Sequence, residues 1–458
     1  MNINSTAIAK YLSNVFHIEL SEKVRPFEIL NSDPSFQEVY AIFVHEYWHY
    51  LLNLSTAVRI RDLTLWYQLF PILSRTLQVE QNGEVDLSQL SKDDKILVEE
   101  IGDLYLSYAN SGFTYEGEDE ILDFEIIGEI KSVDQKLTLR GKPVPFKEAN
   151  VEISLITAKG IVHSLLVINS DYIEESIANS VEMMINPDGK ENELFPYHFL
   201  LKMSKFFNGV ELSHLEIASI GTLSLLTTNP ALSLSQIFRD YCKYREKFTI
   251  DEALNQLSEN IKPIYKEICN TITTDIEEIL RVYQERHPAY QALNFIKEKI
   301  SQAIVYREEK LLFELSPFKN NSLNIEKLQF LMVKLFKCCD VIQLNQGDEN
   351  QIKRDELISF EKENIVIDGQ EVPISFLMQV INCQLNFFRA HWAIFAMQSS
   401  ERAETKCPFY NVCDLSCRVN SPEICAKTPW KTFLRDGEKC PYSHAVSTLL
   451  GLTKLKPI

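Results

Sequence analysis

Apolar residues in the first part of the chain recur at helical spacing. Phe36, Tyr40, Phe43, Val44, Tyr47, Leu51 and Leu54 lie mostly three and four positions apart, which predicts one amphipathic helix. Ser35 and Glu38 form a capping-box candidate at its start, with Pro34 just ahead, and more helix is expected through Leu73. Between Ile121 and Asn169 the period drops to two. Residues 124–126, 137–139, 153–155 and the apolar run 161–168 read as strands of a small antiparallel sheet, with turns at Arg140-Gly141 and Lys159-Gly160.

After Asp171 helical spacing returns and holds almost to Met397. Residues 264–280, 293–312 and 325–342 carry the pattern, and in the first of these Ile264, Ile268, Ile272 and Ile276 recur every fourth position behind Pro263, a helix-start signal. Asp368-Gly369 signals a short hairpin inside this helical region. From Glu401 the pattern changes abruptly to cysteine, proline and aromatic residues. The expected fold class is therefore α+β and predominantly helical, with a small antiparallel sheet, a large helical region and a C-terminal cysteine-rich module. The expected domains are residues 1–205, 206–400 and 401–458.

Composition narrows the function. With 45% hydrophobic and 24% charged residues among 458, the chain is ordinary globular protein. Its 46 basic and 64 acidic side chains leave a net charge of −18, which repels phosphate backbones, so nucleic acid is not an expected partner. Only 14 glycines are present and none forms a glycine-rich phosphate loop, which argues against a nucleotide-driven machine. The first 16 residues lack the pattern of a secretory signal. The charge-free run 217–238 contains seven Ser/Thr and an Asn229-Pro230 break, and the run 372–388 carries Pro373, Gln379, Asn382, Gln384 and Asn386, so neither reads as a membrane span. The expected compartment is the cytosol, where thiols stay reduced and clustered cysteines point to metal.

One motif carries chemistry: His45-Glu46-Tyr47-Trp48-His49. On a helix, positions i and i+4 share a face, so both imidazoles can reach one ion. Glu46 sits about one hundred degrees around the helix, close enough to take a proton from a water at that ion. Two imidazoles and a carboxylate suit Zn²⁺ with one position open. The rival reading is a pair of core histidines on an apolar helix. The third ligand is sought on the helix after the sheet, where Asp171 is expected to cap and Glu174 to be its capping-box partner, which leaves Glu175 as the free carboxylate. Ala178 is small enough to let the two helices approach. Asn179 or Glu182 is placed to orient a ligating histidine.

The HExxH motif followed by Glu175-x-x-Ala178-x-x-x-Glu182 resembles the gluzincin group of zinc metallopeptidases, which includes the M1 aminopeptidases. The resemblance covers two short helices and implies a zincin-like catalytic core. It implies His45, His49 and Glu175 as zinc ligands and Glu46 as general base. More than 120 residues, including the expected sheet, separate the two motifs, and no Gly-Ala-Met-Glu-Asn element for a substrate amino terminus is present. An endopeptidase or a regulated protein-processing enzyme therefore fits better than an aminopeptidase. The expected partners are a peptide or protein substrate and a regulatory protein. Tyr197, His198 and His163 are candidates to donate to the developing oxyanion.

Five of the ten cysteines fall between Cys407 and Cys440. Their spacing matches neither zinc-ribbon pairs nor the close triplets of bacterial ferredoxins. Cys407, Cys413, Cys425 and Cys440 are the expected ligands of a second, structural Zn²⁺, with a [4Fe–4S] cluster as the rival, Cys417 as the alternative ligand and His444 as a further nitrogen donor. Cysteines elsewhere read as core. The expected function is a zinc-dependent metallopeptidase. The alternatives are a metal-stabilised scaffold or sensor that does not hydrolyse, and an iron–sulfur protein centred on the C-terminal module.

Overall fold

A computed structural model describes residues 9–12, 17–20, 37–64, 91–92, 120–139, 142–188, 194–282, 288–321, 323–332, 340–343, 356–359, 364–367, 370–396, 406–434 and 440–449. The chain opens with β1 (Ala9–Leu12), β2 (His17–Leu20) and α1 (Gln37–Ser55), followed by β3 (Ile121–Ile126), β4 (Lys131–Leu139), β5 (Lys142–Thr157) and β6 (Gly160–Ile168). Helices α2 (Ser170–Ile185), α3 (Phe199–Asn208), α4 (His214–Leu225), α5 (Pro230–Arg245), α6 (Ile250–Val282), α7 (Pro288–Glu309) and α8 (Ile325–Phe330) come next. After them come β7 (Asp340–Gln343), β8 (Glu356–Ser359), β9 (Asn364–Ile367), β10 (Gln370–Pro373) and α9 (Ile374–Ala396). The end of the chain holds α10 (Ser416–Asn420), α11 (Pro422–Lys427) and α12 (Pro441–Leu449). The protein is predominantly helical with small antiparallel pairings, and no helix among the described residues is long and apolar enough to cross a membrane.

Helix α1 occupies the centre. The amphipathic expectation for it fails: every residue from 43 to 55 is buried, so the apolar stripe is only part of a helix enclosed on all sides. Its polar groups must then find partners inside the protein. Tyr47 Oη donates to the carbonyls of Leu331 and Met332 at 3.2 and 3.3 Å. Ser55 Oγ lies 2.6 Å from the buried Arg307 guanidinium, which also reaches Glu314 at 2.8 Å. The chain stays helical over residues 57–64, while the capping-box position Ser35 and residues 65–73 lie outside the described residues.

The sheet read from the period of two is present. β5 is its long central strand. Ile121 of β3 stands opposite Thr157, Lys131 of β4 opposite Asn150, and Leu139 opposite Lys142, all antiparallel. β6 returns antiparallel along β5, with Ala149 opposite Ile168, after a turn at Gly160, whose φ of 138° suits a residue without Cβ. Ala149, Val151, Ile153 and Leu155 of β5 are buried together with Phe124, Ile126, Leu166 and Ile168. That alternation presents one apolar face to the helices, and the chain runs from β6 straight into α2.

Three sequence expectations need correction here. Pro263 lies inside α6 rather than at its start; the helix begins after Thr249, which exchanges hydrogen bonds with Glu252. Residues 259, 263 and 264 are exposed, so the carbonyl released by the missing N–H can face water. The expected helix 325–342 stops early, because Ile342 belongs to β7, which pairs in parallel with β2. Strands β1 and β2, unread in the sequence, form one sheet with β7 and β8. Four-residue strands show only two alternations, too few to register as a period. The Asp368-Gly369 hairpin is present as β9 paired with β10, and Asn229 caps α5 with Pro230 at its first turn, which splits the 217–238 run between two helices.

Candidate metal centre

His45 and His49 stand one turn apart on α1, their ring centroids 5.2 Å apart. Both Nε2 atoms converge on the same oxygen of Glu175: Oε2 lies 3.3 Å from His45 and 3.4 Å from His49. These three side chains are the one group of His, Cys, Asp or Glu among the described residues whose ligand atoms all lie within 4.8 Å of one another. A metal ion there would replace the hydrogen bonds that now join the rings to the carboxylate.

The other ring nitrogens are held from behind. His45 Nδ1 is 2.9 Å from Glu182 Oε2, and His49 Nδ1 is 3.7 Å from Glu174 Oε2. Glu175 and Glu182 are seven residues apart, two turns of α2, and so share the face turned to α1. Arg59 hydrogen-bonds Glu174 through Nε and, at 2.9 Å, through Nη2; it also pairs with Asp171. The expected capping role of Glu174 is thus overturned. Asn169 caps α2, its side chain accepting from Tyr172 N at 3.0 Å, so Asp171 sits in the first turn and Glu174 is free to turn inward. Of the two expected orienters, Glu182 holds His45, while Asn179 Nδ2 donates to the carbonyl of Tyr197 at 3.5 Å. Arg59 was missed because a single arginine ten residues past a motif carries no pattern; only the fold brings it to α2.

Electrostatics follow from this packing. Burial opposes charging His45, but hydrogen bonds to Glu175 and Glu182 and the charge of Glu46 outweigh it and raise its pKa to about 9. Burial likewise opposes charge on His49, yet Glu175, Glu174 and Glu46 together lift it well above the usual range. For Glu175, burial works against ionisation, while His49 and His45 hold its carboxyl well below the ordinary carboxylate range. Glu174 is buried too, and Arg59 keeps it ionised. Four carboxylates, from Glu46, Glu174, Glu175 and Glu182, therefore face two imidazoles and one guanidinium. A divalent cation between the two Nε2 atoms and Oε2 would supply the positive charge that two protonated imidazoles supply without it. The donor set fits Zn²⁺, with both rings oriented by carboxylates as ligating histidines usually are.

The Tyr197 candidate lies against the triad, its ring centroid 5.9 Å from that of His45. It is carried on a turn anchored to α2, where Ser176 Oγ donates to Pro196 O at 2.8 Å and accepts from Leu200 N at 3.3 Å. Phe195, preceding a cis Pro196, stacks on Phe124 at 4.0 Å. His198 sits at the N-terminus of α3, within electrostatic range of His214. His163 is exposed on β6, its Nδ1 3.0 Å from Ser154 Oγ.

In the C-terminal module, Cys417, Cys425 and Cys440 are buried and Cys407 and Cys413 half-buried. Cys407 N donates to Cys425 O at 2.9 Å, and the Cys417 thiol hydrogen-bonds both Cys425 and Cys440. Cys413 lies within electrostatic range of Cys407 and Cys440. The ring of His444 is turned to Phe376, their centroids 5.3 Å apart.

The chain matches no protein-family model, no curated protein and no solved structure.

Proposed function

We propose that the protein is a zinc-dependent metallopeptidase with a zincin-like core. The observation that carries this reading is the convergence of His45 Nε2 and His49 Nε2 on one oxygen of Glu175. Bound there, zinc supplies a Lewis acid and lowers the pKa of water. Glu46 belongs to the same helix turn as His45 and bears electrostatically on both rings. Its carboxylate takes the proton of the attacking water and returns it to the leaving amine. Tyr197, beside His45, donates to the oxyanion that develops on the substrate carbonyl. Glu182 and Glu174 fix the tautomer and direction of the two imidazoles. The substrate is a peptide or protein segment, and the large helical remainder and cysteine module recognise a regulatory protein partner in the cytosol.

One observation favours a second reading, a metal-stabilised scaffold that does not hydrolyse. His45, His49 and Glu46 are only 6%, 7% and 9% exposed, which leaves Glu175 as the most open side of the site. Metal content and cleavage of a peptide library by wild type and Glu46→Gln separate the two. The peptidase reading expects about one zinc at this site in both proteins and a loss of at least about 100-fold in activity in the variant. Bound zinc with no cleavage by wild type supports the scaffold, and equal cleavage by both proteins removes the role of Glu46.

A further inference from the structure

His45, His49 and Asn53 recur every fourth position and form one row along α1. Asn53 also stands seven residues, about two turns, past Glu46, so it shares a side of the helix with that carboxylate as well. Cα–Cβ bonds on a helix tilt towards its N-terminus, which leans the Asn53 side chain back over the turn that carries His49. Asn53 is 4% exposed, as closed as the two histidines, and its Nδ2 is buried without a hydrogen-bond partner.

A buried donor without a partner opposes folding, so its retention needs a compensating role. The neighbouring hydroxyls are satisfied within the helix: Ser55 Oγ donates to Leu51 O at 2.6 Å and Thr56 Oγ1 to Leu52 O at 2.8 Å. Leu51, Leu52 and Leu54 are buried at the same level of α1, and a leucine at position 53 would strand no donor there. Trp48 Nε1 is also unpartnered, but its ring meets Phe318 edge to face, with centroids 5.8 Å apart, on another flank of the helix. Among the described residues, Asn53 is the one such donor in line with His49 and Glu46.

We propose that Asn53 is a substrate-binding residue whose Nδ2 donates to a main-chain carbonyl of the bound peptide, one peptide unit from the bond that is cleaved. This role for Asn53 rests on the peptidase reading and names the substrate class that the site takes, an internal stretch of extended chain. Asn53 lies about 6 Å along α1 from His49, and an extended peptide advances about 3.4 Å per residue. With its backward lean, the amide therefore reaches the peptide unit beside the one at the metal. A neutral donor suits a neutral carbonyl. A substrate carboxyl terminus would instead face the carboxylates of Glu46 and Glu175 without a cation to receive it, because Arg59 is engaged by Glu174 and Asp171. The amide is already out of water before substrate binds, so the new hydrogen bond forms without a further desolvation cost on the protein side.

The experiment takes the fastest-cleaved peptide of a mixed library and measures kcat/KM for wild type and Asn53→Leu, with the zinc content and thermal stability of both. Two further versions of that peptide carry an alkene in place of the peptide bond on one or the other side of the scissile bond. Asn53→Leu is expected to keep its zinc and its stability while kcat/KM falls at least about 10-fold. One of the two alkene peptides should lose as much with wild type but less than about two-fold with Asn53→Leu, where the hydrogen bond is already gone. Equal kcat/KM in the two proteins, or losses that simply add, overturns the role of Asn53 and leaves the peptidase reading in place. Zinc or stability lost in step with activity assigns Asn53 to structure and overturns the role too. If Asn53→Leu does not fold, Asn53→Ala replaces it, and wild type that loses nothing with either alkene peptide defeats the inference by itself. Wild type that binds zinc and cleaves no peptide defeats the peptidase reading and this role together.

Discussion

His45 Nδ1 lies 2.9 Å from Glu182 Oε2, a contact between residues 137 positions apart. The same α2 helix that offers Glu175 to the front of the imidazole thus holds it from behind with a second carboxylate. Ligand and orienter move as one rigid body.

Replacing Glu182 tests that arrangement. Glu182→Gln removes the charge behind His45 while keeping an acceptor of the same size. Zinc affinity, measured by competition with a chromophoric chelator, should fall about 10- to 100-fold with little change in stability. Unchanged affinity would show that His45 needs no support from α2.

Arg59 neutralises a buried acid. Glu174 is 2% exposed and depends on Arg59 for its pairing. Arg59→Met should destabilise the protein by about 3–5 kcal/mol in denaturant titration, because it leaves buried carboxylates without a cation. Adding Glu174→Met should recover a large part of that loss, although His49 then lacks its carboxylate neighbour.

Around Arg59 stand three acids, Asp62, Asp171 and Glu174, and one guanidinium cannot satisfy them all. Asp62 is the one driven to keep its proton: burial, opposed by Arg59 and Arg61, raises its pKa from 3.8 to about 6. The folded state therefore holds a proton that the unfolded chain releases. Stability from this group is fully present below pH 3.8 and is lost as pH rises through about 6. Asp62→Asn, which does not titrate, should gain on wild type by on the order of 2–3 kcal/mol between about pH 4 and about pH 7. A stability difference that stays constant across that range would contradict the assignment.

Close packing sets the position of α2. A Cβ at Gly221 of α4 would lie 2.6 Å from Ile177 Cγ1 and 2.7 Å from Leu200 Cδ1. Gly221→Ala should cost about 1–3 kcal/mol in thermal or chemical unfolding. It should also weaken zinc binding, since the shift it forces is borne by the helix that carries Glu175. Loss of stability without loss of affinity would mean that α3 alone yields.

Local chemistry in the chain already determines much of this protein. The period of two between Ile121 and Asn169, the helical spacing from Asp171 to Glu309 and the helical placement of the HExxH pattern each depend on neighbours a few residues apart, and each is present in the folded molecule. The helix expected over 325–342 instead gives way to strands at Asp340–Gln343 and Glu356–Ser359. Glu175 is reached in the sequence through the gluzincin resemblance and a capping role for Glu174 that the fold overturns, whereas the helix period alone places Glu182 on the face of Glu175. Only the tertiary structure decides what long-range packing decides. It encloses α1 on every side, caps α2 with Asn169 so that Glu174 can turn to Arg59, and draws His17–Leu20 against Asp340–Gln343. Those relationships join segments tens to hundreds of residues apart. Their energies come from burial and charge pairing that no local window of the chain contains.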